Sequence, residues 1–224
     1  TQKCKNCIDK NKIIALCYFN MEDFGKAEKL LLALINKNPE DAELTYTLAS
    51  NYLAMGFEPK AITWYEKAVL VDASKSKWFF ELVLLYSNTN NYKKAVIAYN
   101  KAAELGFIKG NDFNENLGFA YIYSSDFDNG ARLLDDLISR RPGDKELIRD
   151  IATAFYDSRN YDKSLDYCQK LLEMDMKDGK ALYQAGLCFQ KKGMTEKGMQ
   201  MCDKAIEMDP SLASLRSKKS LPGM

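Results

Sequence analysis

The residues best suited to chemistry in this sequence are its six cysteines, two of which, Cys4 and Cys7, form a Cys-x-x-Cys pair. Such a pair is typical of a redox-active dithiol or of half a zinc site. A structural zinc ion needs two further ligands, and Cys17 is the nearby candidate in a sequence without histidine. We therefore interpret the pair as two incidental thiols near the start of the chain. A thiol or metal function at Cys4 and Cys7 is kept as a remote alternative.

Other catalytic arrangements find little support among the residue types. The absence of histidine excludes the Ser-His-Asp and Cys-His arrangements and every metal site that uses imidazole. The twelve glycines fall singly, so neither common glycine-rich phosphate loop occurs. Adjacent carboxylates such as Asp135 and Asp136 are usually a solvated helix face. The sequence therefore predicts a protein that is not an enzyme and that binds no cofactor or metal.

Composition limits the classes of partner. The net charge is +1, so nothing in the overall charge favours nucleic acid or an anionic membrane. The longest apolar runs, 13–19 and 30–35, are far below the roughly 18 residues that span a bilayer. Six thiols without a dense disulfide pattern fit a reducing compartment somewhat better. The sequence begins at Thr1 without a methionine, so we keep both a cytoplasmic location and a periplasmic or secreted one.

The elements that position these residues follow a period of about 34 residues. A small residue is followed three places later by an aromatic residue, and a second small residue follows after that. Each series steps by 34, 34, 35, 34 and 34 residues, which places one extra residue near 106–110. The first small residues are Ala15, Ala49, Val83, Gly118, Ala152 and Gly186, the aromatic residues are Tyr18, Tyr52, Tyr86, Tyr121, Phe155 and Phe189, and the second small residues are Ala27, Ala61, Ala95, Gly130, Ser164 and Gly198.

Residues 42–75 explain what each period encodes. Apolar residues fall on one helical stripe up to Tyr52, Gly56 interrupts the pattern, and Pro59 opens a second helix at a first-turn position. This pattern predicts a helical hairpin in which a small residue on each helix allows a close approach. One hairpin cannot bury its apolar face alone, so neighbouring hairpins must stack on it.

At these positions the chain resembles the tetratricopeptide repeat family over about residues 8–210. The family pattern is met by Leu48, Ala49, Tyr52, Gly56, Ala61, Tyr65 and Ala68, with closing prolines at Pro39, Pro142 and Pro210. The resemblance implies an all-α fold, an α-solenoid with a right-handed superhelix, forming a single domain over 1–224. Repeats are predicted at 8–41, 42–75, 76–110, 111–144, 145–178 and 179–210, with a short capping helix in 211–224.

The resemblance also implies that ligands bind on the concave surface, which is lined by the first helix of each hairpin. From the second to the fifth repeat this stripe carries seven acidic and two basic residues. We therefore predict a groove for a peptide with apolar anchors and basic residues, and not for nucleic acid. An alternative is that several aromatic residues pack between adjacent first helices and expose only their edges. The predicted groove residues are Tyr46, Leu53, Phe80, Leu84, Glu115, Phe119, Ile122, Tyr123, Arg149, Tyr156, Tyr183 and Leu187.

Some family members hold the terminal carboxylate of a chaperone with lysine, asparagine and arginine side chains on three first helices. The best register here supplies Lys12 and Lys77, but Leu16, Thr47 and Glu81 occupy the remaining positions. That clamp is therefore not predicted. The interpretation that remains is an adaptor that binds a peptide segment of a protein partner. A second hypothesis is a structural protein that self-associates through its ends or its convex face.

Overall fold

The computed structural model describes the backbone of residues 2–107 and 110–217 and the side chains of residues 10–107 and 110–215. Across these ranges the regular structure is helical, without a strand. The chain divides into two compact units, an N-terminal unit of residues 1–109 and a C-terminal unit of residues 110–224. The helices of the N-terminal unit are α1 (Gln2–Asn20), α2 (Phe24–Lys37), α3 (Ala42–Ala54), α4 (Glu58–Val71), α5 (Ser76–Asn88) and α6 (Tyr92–Glu104).

The C-terminal unit repeats the same plan of three helical hairpins and adds a short ending. Each odd-numbered helix packs against the helix that follows it, so the described residues form six hairpins in all. The predicted all-α repeat fold is confirmed. The helices of this unit are α7 (Asn111–Tyr123), α8 (Phe127–Arg140), α9 (Lys145–Asp157), α10 (Tyr161–Met174), α11 (Gly179–Lys191) and α12 (Thr195–Met208).

The small residues of the period lie where the two helices of a hairpin meet. All twelve of these positions are buried, including Ser164, whose hydroxyl donates to the Ala152 carbonyl at 2.7 Å. The closest approach is between Gly186 and Gly198: a Cβ atom built on Gly198 would lie 2.5 Å from the carbonyl oxygen of Gly186. The small residues recur with the period because the two helices of a hairpin pack closely there. A larger side chain at this crossing would force the two backbones apart.

The turn inside each hairpin has one conformation that recurs in all six copies. One residue adopts a positive φ, and the next residue donates its N–H to a carbonyl five residues earlier, as in the 2.9 Å bond from Phe57 to Tyr52. This is the Schellman ending of a helix. Glycine supplies the positive φ in two turns only, so the sequence pattern identified Gly56 but not most of the others. The six residues are Glu22, Gly56, Asn90, Ser125, Arg159 and Gly193.

Aspartates begin several of the first helices. The side chains of Asp41, Asp144 and Asp178 accept a hydrogen bond from the backbone N–H three residues later, at the starts of α3, α9 and α11. Each carboxylate satisfies an N–H group that the helix itself leaves without a partner. These three residues therefore fix the point at which each new hairpin begins.

The described chain ends in a 3₁₀ turn, Pro210–Leu212, followed by α13 (Ala213–Ser217). Leu212 is buried in a cluster with Tyr183, Cys202 and Ala205, whereas Leu215 is 44% exposed. A short segment thus covers part of the last hairpin, as the sequence predicted. Lys218, Lys219 and Pro222, whose residue types predict the end of this helix, lie outside the described residues.

Candidate functional site

The first helices of the C-terminal unit lie side by side, because α9 contacts both α7 and α11. Four of the predicted groove residues on these helices are partly exposed: Phe119 and Tyr123 on α7, Tyr156 on α9 and Leu187 on α11. We call these four residues the first-helix face. Tyr123 is the most accessible at 37% exposure, whereas Phe119 also packs against the core of the unit. Four of the predicted groove residues therefore retain exposed surface on three adjacent helices.

Acidic side chains accompany the first-helix face. Asp112 on α7 and Asp150 and Asp157 on α9 are exposed. Desolvation by neighbouring atoms raises the pKa of Asp150 above its ordinary value, and the charge of Glu146 raises it further. Three of the acidic residues counted in the predicted stripe are thus exposed on the C-terminal unit.

Arg149, predicted for the groove, is held in ion pairs at the junction between two hairpins. Its Nη2 atom donates to Asp178 at 2.9 Å, and its Nη1 atom donates to Glu146 at 2.6 Å. Asp178 is also the residue that caps α11. Arg149 therefore connects α9 to the start of the next hairpin.

Glu115 occupies the corresponding place on α7 and has the opposite charge. It accepts a hydrogen bond from Arg141 at 3.2 Å, and Arg141 lies 3.5 Å from Asp144, the cap of α9. The same kind of contact therefore joins successive hairpins at two places in this unit. We call these contacts the hairpin ties.

In the N-terminal unit the hairpin ties are both ionic and aromatic. Lys12 donates to Asp41, the cap of α3, at 3.1 Å. Tyr46 stacks on Trp78 with ring centroids 4.9 Å apart. The alternative in which aromatic residues pack between hairpins is therefore confirmed for Tyr46, which is half-buried in this contact.

Phe80 also packs against an aromatic ring. It stacks on Phe107, which follows α6, with ring centroids 4.5 Å apart. Leu53 is half-buried, and Leu84 is 46% exposed. Of the predicted groove residues in the N-terminal unit, Leu84 therefore presents the most accessible apolar side chain.

Two predicted groove residues are buried. Ile122 is fully buried because it faces α8, where its Cγ1 atom would lie 2.8 Å from a Cβ built on Gly130. Tyr183 is 6% exposed and belongs to the cluster beneath Leu212. The assignment of Ile122 to an exposed groove is wrong, and Tyr183 is a core residue with little free surface.

Sequence reasoning missed the partners in the hairpin ties. Asp178 and Trp78 lie at the beginning of the hairpin that follows, and Arg141 caps the end of α8. None of the three belongs to the predicted groove stripe. A signal was available, because an aspartate precedes three first helices at the same place in the period. Such an aspartate predicts a helix cap, and a cap carboxylate can also accept a bond from the preceding hairpin.

The four cysteines whose side chains are described differ in solvent exposure. Cys17 is exposed, whereas Cys168, Cys188 and Cys202 are buried. Burial raises the pKa of the Cys168 thiol to about 12, and it also raises the pKa of Cys188, whose thiol donates to Ser164. Among the described side chains, no three His, Cys, Asp or Glu residues are grouped to hold a metal ion. The side chains of Cys4 and Cys7, on which the remote alternative depends, lie outside the described part.

Hydropathy gives one further finding. Within the part of the chain that the structure describes, no helix combines the length and the apolar character needed to cross a membrane.

Comparison with protein families identifies the repeat. A tetratricopeptide repeat model matches residues 14–77 and 116–179, more than half of the chain. A second model of the same repeat matches residues 79–105 and 179–212. Together these matches extend through both units.

Two curated human proteins are similar to parts of this chain. Protein O-mannosyl-transferase TMTC1 of Homo sapiens is 27% identical over 133 residues, which are 58% of this chain and 15% of the relative. General transcription factor 3C polypeptide 3 of Homo sapiens is 23% identical over 159 residues, which are 68% of this chain and 18% of the relative. The chain thus spans less than a fifth of each relative.

Solved structures show the same fold. YrrB, described as a tetratricopeptide repeat protein with an unusual peptide-binding site, is 24% identical with a TM-score of 0.51, and the match covers 84% of this chain and 97% of YrrB. A tetratricopeptide repeat protein from Parabacteroides merdae is 16% identical with a TM-score of 0.52, covering 90% of this chain and 79% of that protein. At these identities the likeness establishes the architecture.

Proposed function

Because the chain belongs to the tetratricopeptide repeat family, whose members typically bind protein partners, we propose that it is a non-enzymatic scaffold that binds a peptide segment of a partner on the first-helix face. The observation that carries this proposal is the set of partly exposed aromatic side chains on α7 and α9, two helices in direct contact. Aromatic residues contribute much of the binding energy at protein interfaces, since they bury large areas with few rotatable bonds.

Charge supports a basic partner segment. The exposed carboxylates Asp112, Asp150 and Asp157 accompany the aromatic residues, whereas Arg149 is already paired with Glu146 and Asp178. A lysine or arginine of the peptide could therefore pair with exposed carboxylates on this surface. The description of YrrB, a protein of the same fold with a peptide-binding site, is consistent with this assignment.

The test begins with peptides selected against the whole chain from a random displayed library. We expect Tyr123→Ala and Tyr156→Ala each to weaken binding of the selected peptides about tenfold, because each change removes an aromatic contact at the interface. Binding is measured by fluorescence anisotropy. These positions are preferable to Phe119, which also packs against the core of the unit.

Met199→Ala is the matched control, since Met199 is a 50% exposed apolar residue on α12 of the same unit. This variant should bind as the unmodified chain does, and circular dichroism should show the same helicity for all variants. If Met199→Ala weakened binding while Tyr123→Ala and Tyr156→Ala did not, the proposal would have named the wrong surface.

Self-association is the second candidate function, and exposed apolar residues on second helices favour it. Leu70 is 83% exposed and Ile97 is 69% exposed, and both line a pocket of about 350 Å³ between α4, α5 and α6 of the N-terminal unit. Contact between copies through this surface would bury both residues. Sedimentation velocity distinguishes the two functions, because a self-assembling chain sediments faster as its concentration rises and an unliganded adaptor does not.

A further inference from the structure

Helix α1 has an apolar face that is largely exposed to solvent. Ile13 is 60% exposed, Ile14 is 44% exposed, and Met21, in the turn that follows the helix, is 74% exposed. Cys17 is exposed as well, and Tyr18 is partly exposed. These residues recur three or four positions apart, so they lie on one side of the helix. We call these five residues the α1 face.

In later hairpins the corresponding positions are buried. The comparison uses α3, α5, α9 and α11, the first helices that follow another hairpin of their own unit. In these four helices the counterparts of Ile14 and Cys17 are at most 3% exposed. The counterparts of Ile14 are Leu48, Leu82, Ile151 and Ala185, and those of Cys17 are Asn51, Leu85, Ala154 and Cys188.

The second helix of the preceding hairpin lies against these positions. The side-chain amide of Asn51 donates to the carbonyl of Phe24, at the start of α2, at 3.1 Å. The thiol of Cys188 donates to the hydroxyl of Ser164 on α10 at 3.2 Å. The α1 face therefore has the residue types of a stacking surface, and its exposure shows that it lacks the helix that covers such a surface elsewhere in the chain.

A carboxylate accompanies two of these stacked helices. Tyr52 donates to Glu28 on α2 at 2.6 Å, and Tyr86 donates to Glu66 on α4 at 2.6 Å. Lys94 also donates to Glu66, at 2.7 Å, and its Nζ atom lies 5.4 Å from the centre of the Tyr86 ring. In both cases the carboxylate comes from the second helix of the preceding hairpin.

Tyr18 and Lys26 supply the same phenol and ammonium groups at the α1 face. The Nζ atom of Lys26 lies 5.4 Å from the centre of the Tyr18 ring, the separation found between Lys94 and Tyr86. Lys26 pairs with Asp23, and among the described side chains none accepts a hydrogen bond from the Tyr18 hydroxyl. A carboxylate brought by a covering helix would therefore meet a phenol donor beside an ammonium group.

Charge decides which helix fits the α1 face. Helix α1 contains four lysines and one aspartate, a net formal charge of +3, so the α1 helices of two copies would repel each other. The last second helix, α12, is no substitute, because Leu212 of the terminal turn already packs with its Cys202 and Ala205. These observations favour an acidic helix from another protein over a second copy of this chain.

We propose that the α1 face binds an amphipathic acidic helix of a partner protein, which packs its apolar side chains on Ile13, Ile14 and Cys17 and places a carboxylate at the Tyr18 hydroxyl. The partner helix lies on α1 as α2 lies on α3. This inference goes beyond the proposed function, since it concerns other residues, in the N-terminal unit, and a ligand of the opposite charge.

The probe is a displayed library of 18-residue helices built from alanine, glutamate and glutamine, with varied apolar residues at positions i, i+3, i+4 and i+7. Helices are selected on the whole Cys4→Ser, Cys7→Ser chain, and the readout is the rate at which a thiol reagent modifies Cys17. At a concentration about ten times its Kd, a selected acidic helix should slow this modification about tenfold, because it covers the thiol. Helices from a matched library with lysine in place of glutamate should leave the rate unchanged.

Two matched pairs of variants test the contacts. Ile14→Gln should weaken binding of the selected acidic helices about tenfold, because it removes apolar surface from the contact. Val71→Gln, at a 39% exposed residue of α4 in the same unit, should not. Tyr18→Phe should weaken binding about tenfold by removing a hydrogen bond to a charged group, whereas Tyr161→Phe on α10 should have no effect. Circular dichroism should show equal helicity for all four variants.

Three results would overturn the proposal: no acidic helix slows the modification of Cys17, lysine helices slow it equally, or Ile14→Gln binds as the unmodified chain does. If Cys17 became protected as the concentration of the chain alone rose, the α1 face would be a contact between copies and the assigned partner would be wrong. The proposed function fails separately, because peptides on the first-helix face respond to Tyr123→Ala and Tyr156→Ala and leave Cys17 reactive.

Discussion

The position of Arg149 on its helix does not determine which residues its side chain contacts. The helical period predicted that Arg149 lies on the groove stripe of α9, and the structure shows its guanidinium paired with Glu146 and Asp178. Asp178 is 29 residues further along the chain, and only the stacking of the next hairpin brings it within reach. Periodicity gives the direction in which a side chain leaves its helix, and it does not give the depth at which the neighbouring hairpin covers it.

For the same reason, the predicted groove residues differ in burial and in the side chains that they contact. Tyr46 stacks on Trp78 of the next hairpin and Phe80 stacks on Phe107, which follows α6, whereas Tyr123 is 37% exposed. Ile122 is one position before Tyr123, and this single step of about 100° turns its side chain toward α8. The exposed part of the site was therefore predictable as a stripe but not residue by residue.

The cysteines provide a prediction at this scale. In a Cys4→Ser, Cys7→Ser variant, we expect a thiol reagent at mildly alkaline pH to modify Cys17 promptly, because Cys17 is exposed. Cys168 should remain unmodified in the folded chain, since it is 1% exposed and burial raises the pKa of its thiol to about 12. Thiolate is the reactive form, and almost none is present under these conditions.

The measurement is the time course of thiol modification, with peptide mapping to identify the sites. Unfolding in urea should make all four remaining thiols react, which serves as the control. Prompt modification of Cys168 in the folded chain would show that the packing between α9, α10 and α11 is looser than described.

At the scale of the helices, the hairpin was the most predictable element. The small residues, the break at Gly56 and Pro59 at the start of α4 all occur where the sequence placed them. The turns inside the hairpins were less predictable. In four of these six turns the residue with positive φ is not glycine, as at Arg159. At these exposed positions the backbone hydrogen bonds of the helix ending hold a conformation that the residue types disfavour.

The crossing of α11 and α12 yields a prediction at this scale. In Gly198→Ala the new Cβ would lie 2.5 Å from the Gly186 carbonyl oxygen and 2.8 Å from the Gln190 backbone nitrogen. Neither backbone atom can move without separating the helices, so we expect a loss of about 1–3 kcal/mol in the free energy of unfolding. Urea unfolding followed by circular dichroism measures it.

Gly25→Ala is the matched control, because Gly25 lies in α2 and a Cβ there meets nothing within 4 Å. Alanine is the better helix former, so this variant should be as stable as the unmodified chain or up to about 1 kcal/mol more stable. Equal destabilisation by both substitutions would contradict the close approach of Gly186 and Gly198.

At the scale of the whole chain, the period predicted six hairpins and the described residues contain six. The prediction of one continuous domain over 1–224 remains a prediction. The two units differ in charge: residues 1–109 contain 15 basic and 12 acidic residues, and residues 110–224 contain 17 basic and 19 acidic residues. A basic peptide therefore has an electrostatic reason to prefer the C-terminal unit.

We propose that the first helices of the C-terminal unit bind the partner. Hydrogen exchange of the whole chain, measured by mass spectrometry with and without a saturating selected peptide, tests it most directly. We predict that the peptide slows amide exchange in α7, α9 and α11, the helices that carry the first-helix face. Slower exchange confined to α8, α10 and α12, or to the N-terminal unit, would contradict the account.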